Sequence, residues 1–163
     1  MDDLPNHFAI VWHSRTGASR AMAEAVYEGA GGSAILLPAG AVTPDDLLSA
    51  AGYLFVCPEN LATMSGMMKE MFDRNYYPLL GQVEGRPYAT IIAAGSDGEG
   101  AQRQLDRIAT GWRLKRVAKP MIVRFDAQTA ETILASKNVP SAVLEQCHEL
   151  GSALAEGIRL GVF

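Results

Sequence analysis

Three hydroxyl groups and a glycine crowd the six residues Ser14-Arg15-Thr16-Gly17-Ala18-Ser19. A phosphate needs donors that converge without a bulky side chain in the way. Ser14, Thr16 and Ser19 can donate, and Gly17 allows close backbone approach. A helix starting at Ala18 would add its free first-turn N–H groups. The G-x-x-x-x-G-K-[ST] pattern is absent, so the chemistry on offer is a hydroxyl-and-amide cradle rather than a Walker A loop. The same residues could instead cap a helix in the ordinary way, but the strand before and the helix after favour phosphate. Two further segments carry useful groups. Pro58-Glu59-Asn60-Leu61-Ala62-Thr63-Met64 combines an amide side chain (Asn60), a hydroxyl (Thr63) and apolar groups (Leu61, Met64). Gly95-Ser96-Asp97-Gly98-Glu99-Gly100 holds three glycines in six residues, which frees its amides to approach a ligand oxygen. Its continuation Gly98, Gly100, Arg103 misses the dinucleotide fingerprint G-x-G-x-x-G.

All three segments follow apolar runs of strand length. Such runs occur at His7–His13, Ala34–Leu37, Tyr53–Cys57, Tyr88–Ala94 and Met121–Phe125, mostly continuous, as in strands covered on both faces. Helical spacing lies between them. Ala18, Met22, Ala25 and Val26 line one face of the first helix, Met67, Met68, Met71 and Phe72 another, and Leu105, Ile108, Ala109 and Trp112 the next. Thr43-Pro44-Asp45-Asp46 reads as an N-cap, a first-turn proline and first-turn acids. Gly29, Gly31 and Gly32 end the first helix, and Pro140 opens the last, from Ser141 to about Leu160. Five strand-then-helix units over 1–163 predict one doubly wound α/β domain with helices on both faces of a five-stranded parallel sheet. Such sheets bind ligands beyond the carboxyl ends of their strands. In the order 2-1-3-4-5 the three loaded loops would share one rim, while the loops after the second and fifth strands (Pro38–Thr43, Asp126–Gln128) look plain.

Composition narrows the class. The 163 residues are 48% hydrophobic and 20% charged, which suits a folded domain. No apolar run reaches the roughly 20 residues of a membrane span, so no membrane partner is expected. Met1-Asp2-Asp3-Leu4-Pro5 lacks a basic n-region, which argues against a secretory signal and for a cytoplasmic protein. Cys57 and Cys147 make neither a disulfide framework nor a zinc spacing, and no metal site is expected. A net charge of -4 with no visible basic stripe argues against nucleic acid.

Ser14–Ser19 resembles the S/T-x-T-G-x-S/T phosphate loop of the flavodoxin-like flavoproteins. Cys57–Gly66 followed by Lys69, Phe72, Asp73 and Arg74, then Gly81, Arg86-Pro87 and Ala94–Gly100, is similar in order to the later segments of that family. The likeness is greatest to its NAD(P)H-dependent FMN reductases and to quinone reductases of the tryptophan-repressor-binding-protein type. It implies a flavodoxin-like fold, FMN with its 5′-phosphate on Ser14–Ser19, and NAD(P)H as electron donor. Pro58–Met64 would then offer apolar contact and polar partners to the flavin ring, and Gly95–Gly100 donors to its N1–C2=O edge. Electron-carrying flavodoxins commonly sandwich the ring between aromatic side chains, yet neither segment here contains Trp, Tyr or Phe. An open ring face favours an enzyme that passes electrons to a quinone, a flavin or a similar small acceptor, with no catalytic side chain required. The alternative is a flavodoxin-type carrier without a substrate of its own. A response-regulator receiver is excluded, because Trp12-His13-Ser14 and Cys57-Pro58 stand where its acidic residues belong. His13 and Cys57, near the expected cofactor, read as structural. Met64, Met67, Met68 and Met71 read either as core or as a subunit contact, leaving a homodimer or homotetramer open.

Overall fold

The computed structural model describes residues 6–163, so the reading of Met1–Pro5 falls outside the described residues. In chain order the elements are β1 (Phe8–Trp12), α1 (Ala18–Gly29), β2 (Ala34–Pro38), a 3-10 turn (Ala39–Ala41), α2 (Pro44–Leu48), β3 (Gly52–Asn60) and β4 (Thr63–Met64). Then follow α3 (Gly66–Leu79), β5 (Pro87–Ala94), α4 (Glu99–Gly111), β6 (Lys115–Arg116), β7 (Met121–Arg124), α5 (Ala130–Leu134) and α6 (Ser141–Leu160).

The sheet runs β2-β1-β3-β5 and ends in the pair β6 and β7, all parallel. This is the expected 2-1-3-4-5 order, with two departures from five plain strands. The fifth strand is split. Lys115 and Arg116 pair with the start of β5, Met121–Arg124 with its end, and Pro120 precedes the second piece with no N–H to offer the ladder. β3 also outruns its apolar stretch and folds back as a hairpin with β4, where a loop was expected.

Period-two alternation divides the strands between two cores. Ala9, Val11, Tyr53, Phe55, Cys57, Tyr88, Ile92 and Ala94 face α2, α3 and α4. Phe8, Ile10, Leu54, Val56, Ala89, Ile91 and Ala93 face α1 and α6. The α1–α6 contact is close because both helices present glycine. A Cβ on Gly151 would stand 2.1 Å from the Val26 carbonyl oxygen, and one on Gly29 1.9 Å from that of His148. Gly29 therefore serves packing as well as termination. Thr43 caps α2 through a capping box, accepting from the Asp46 N–H while the Asp46 carboxylate accepts from its own. Met64, Met68 and Met71 are core, whereas Met67 is 46% exposed. Among the described residues no helix is long and apolar enough to cross a membrane, and no metal-binding cluster occurs.

Candidate functional site

A cavity of about 300 Å³ opens beyond the carboxyl ends of β1, β3 and β5. Ser14, Arg15, Thr16, Ala18 and Ser19 form one wall, Pro58–Ala62 a second, and Ala93–Ser96 a third. The β1–α1 loop is built as a helix start without a side-chain cap. Gly17 occupies the N-cap position at φ +99°, a conformation that favours glycine. Ser14 Oγ accepts from the Gly17 N–H at 3.1 Å, and the first bond of the helix runs from the Ala21 N–H to the Gly17 carbonyl. The amides of Ala18, Ser19 and Arg20 are thus the open end of α1. Ser19 is 1% exposed and its hydroxyl has no hydrogen-bond partner among the described residues. A buried hydroxyl left unpaired costs about 1–3 kcal/mol, so a partner from outside the chain is the natural occupant of the space beside it. Helix capping, the other use of these hydroxyls, is not what the structure shows.

The second wall is the β3–β4 hairpin. Its turn residues Leu61 and Ala62 have φ of +52° and +64°, a two-residue left-handed turn without glycine or asparagine. Three ties hold it: Gln104 Oε1 accepts from the Met64 N–H at 2.8 Å, Met64 is buried in the core, and Thr63 Oγ1 donates to the Asn60 carbonyl. Thr63 and Met64 therefore build the hairpin and do not line the cavity. Leu61 stands 98% exposed at its tip.

Glu59 is the fourth tie. Its carboxylate accepts from the Gly98 N–H at 2.8 Å and from the Ala101 N–H at 3.2 Å, supplying α4 with the cap that its N-cap residue Gly98 lacks. This corrects the use expected of Asp97, Gly98 and Gly100, while Gly95 and Ser96 do line the cavity. The Gly98 amide is engaged by Glu59, and Gly98, Gly100 and Asp97 stand off the cavity wall. A Cβ on Gly100 would lie 2.1 Å from the Ala62 carbonyl oxygen, and one on Gly95 2.4 Å from that of Ala127. The glycines let neighbouring loops touch. Asp97 contributes its carbonyl, which accepts from Arg124 Nε at 2.9 Å.

The loop after the last strand, which looked plain, completes the site. Phe125, Ala127, Ile133 and Lys137 line the cavity. The Lys137 N–H donates to the Thr16 carbonyl at 2.9 Å, and its ammonium donates to the carbonyls of Thr132, Ile133 and Ala135 at the end of α5. The short helix is thereby tied to the hydroxyl loop. Its own start is a Thr129–Thr132 capping box, a signal the sequence reading passed over because threonine stands where Glu or Gln is usual.

No family model matches the chain. A curated flavodoxin from Aquifex aeolicus (strain VF5) is 27% identical over 162 residues, covering 94% of this chain and 87% of the relative. The flavodoxin, WrbA-like protein from Agrobacterium tumefaciens matches at TM-score 0.73 and 20% identity, over 94% of this chain and 98% of its own. The flavodiiron protein from Giardia intestinalis matches at TM-score 0.75 and 18% identity, over 95% of this chain and 36% of its own. The chain has the flavodoxin-like fold.

Within this flavodoxin-like fold, Cys57 and His13 do not line the cavity and serve the structure. Cys57 is buried, and burial pushes its thiol up to about 12, which leaves it inert as a nucleophile. His13 Nδ1 lies 2.9 Å from Ser65 Oγ. Burial, and after it the Arg15 charge, holds the imidazole below its ordinary 6.5. The folded state therefore resists a proton that the unfolded chain takes up. His13 contributes stability that is full above pH 6.5 and is lost as pH falls from there toward the depressed value. Urea midpoints should drop across that window, and His13→Gln should flatten the drop. An equal drop in the variant would remove His13 from the account.

Proposed function

We propose that the cavity holds FMN and that the protein is an FMN-dependent oxidoreductase taking electrons from NAD(P)H. The unpartnered, buried Ser19 hydroxyl beside the open amides of α1 carries this reading, because a phosphate dianion satisfies both at once. The residues present fit the group. Ser14, Thr16 and Ser19 would hold the phosphate. Pro58, Leu61, Ala62 and Phe125 offer apolar surface to the ring, and Asn60 and Ser96 offer polar atoms to its edge. When bound, FMN would supply the redox chemistry, taking two electrons from the nicotinamide and passing them to a small acceptor such as a quinone. The chain's own work is to bind, orient and leave one side open, and neither rim segment places an aromatic side chain over the cavity.

A second reading, the electron carrier, has two observations in its favour. Phe125 brings to the cavity an aromatic ring that the rim segments lack, and the relative over 94% of the chain is a flavodoxin. Mixing the flavin-loaded protein with NADPH or NADH under anaerobic conditions separates the two. The enzyme should bleach in one two-electron step and recover its colour with turnover when a quinone is added. Absence of bleaching by either nucleotide would assign the protein to the carriers.

A further inference from the structure

Seven of the fourteen basic residues, but one of the eighteen acidic residues, fall between Arg103 and Arg124. The stripe that composition hides is therefore present after all. Arg116 is internal to the fold, pairing with Asp106 at 2.5 Å and lying 4.8 Å from the centre of the Tyr88 ring. Arg124 is engaged with the Asp97 carbonyl. Arg103, Arg107, Arg113, Lys115 and Lys119 are all exposed, and among the described residues none makes an ion pair or a side-chain hydrogen bond. Elsewhere the cations are engaged. Arg20, Lys69, Arg74 and Arg159 are paired along their helices, and Arg86 and Lys137 are bound to carbonyls, while Arg15 has no partner among the described residues.

Protection of an exposed sheet edge accounts for Lys115, Lys119 and Pro120. It does not account for Arg103 and Arg107, which stand one turn apart on α4, where like charges repel. We propose that this α4–β6–β7 edge docks an acidic electron-transfer protein; the redox part of the proposal rests on the cavity holding a redox cofactor. The five cations come from α4, the turn after it, β6 and the β6–β7 connection. Drawn from four separate segments, they suit a row of carboxylates better than a single phosphate. The edge meets the cavity rim at one end, where α4 starts at the Glu59 clamp and Arg124 holds the Asp97 carbonyl, and runs from there to Lys115 beside the start of β5. A second copy of the chain fits poorly: a two-fold contact sets cation against cation, and a head-to-tail contact leaves open ends. One electron would cross per encounter, oxidising one partner and reducing the other, with no bond made or broken.

The test titrates the flavin-loaded full chain with an acidic plant-type two-iron ferredoxin, at low and at physiological ionic strength. Saturable binding that weakens with salt is expected. Reversing Arg103 and Arg107 together to Glu should slow association about tenfold or more, and Lys115→Glu with Lys119→Glu should slow it further. Bleaching by NAD(P)H, if the parent shows it, should be unchanged in these variants. The proposal is overturned by no binding, by binding indifferent to both pairs of reversals, by self-association that the reversals abolish, or by preferential capture of a DNA duplex on the same residues. Flavin absorbance of the same sample keeps the two claims apart: a colourless protein refutes the cofactor, while association still decides the surface.

Discussion

Ser19→Ala is expected to bind FMN about ten- to a hundredfold more weakly than the parent and riboflavin about equally well. A hydrogen bond to a charged group is worth roughly 1.5–3 kcal/mol, and this hydroxyl has no other bond to fall back on. Nothing in the folded chain depends on it, so the variant should unfold no more easily than the parent. Removing an unpaired buried hydroxyl can even stabilise the empty protein. Thr16→Ala should act in the same direction with a smaller effect, because Thr16 is only half-buried. Equal losses for FMN and riboflavin would show that Ser19 shapes the loop and does not meet a phosphate.

Glu59→Ala is expected to cost about 1.5–3 kcal/mol of stability and to weaken flavin binding at the same time. Two charge-assisted hydrogen bonds are lost, the N-terminus of α4 is left without its anion, and Gly98 has no side chain to replace it. The hairpin then loses the tie that seats the Ala62 carbonyl where Gly100 admits it. The left-handed Leu61–Ala62 turn, strained for residues with a Cβ, is the part that should relax first. Glu59→Gln retains one acceptor oxygen and should recover part of the stability. Urea unfolding and flavin titration on the same variants check both effects, and a Glu59→Ala protein with parental stability would remove the clamp from the account.

The order of the sheet and the location of the site were legible for a definite reason. Continuous apolar runs mark buried parallel strands, and Ser14–Ser19 announces itself by three hydroxyls placed between a strand and a helix. What escaped depended on contacts distant in the chain. No glycine or asparagine marks the Leu61–Ala62 turn, because its conformation is held by Glu59, Gln104 and the buried Met64. Glycines 95, 98 and 100 read as ligand-facing; Gly95 does line the cavity, but the Ala62 carbonyl explains Gly100 and the left-handed N-cap explains Gly98. Phe125 reaches the cavity from the end of β7, bonded to the Ala94 carbonyl, and Ile133 and Lys137 reach it because the Lys137 N–H, beyond α5, ties that segment to the Thr16 carbonyl. The basic edge was missed because its residues sit on separate elements at no single period.

The most direct measurement is the identity of the flavin released from the purified protein by heat. One terminal phosphate is all that the Ser14–Ser19 loop is built to hold, and no adenine-binding fingerprint follows β1. Chromatography should return FMN at close to one per chain, directly or after reconstitution of the flavin-free protein. Stoichiometric FAD, or no retained flavin even after reconstitution, would contradict the account at its centre.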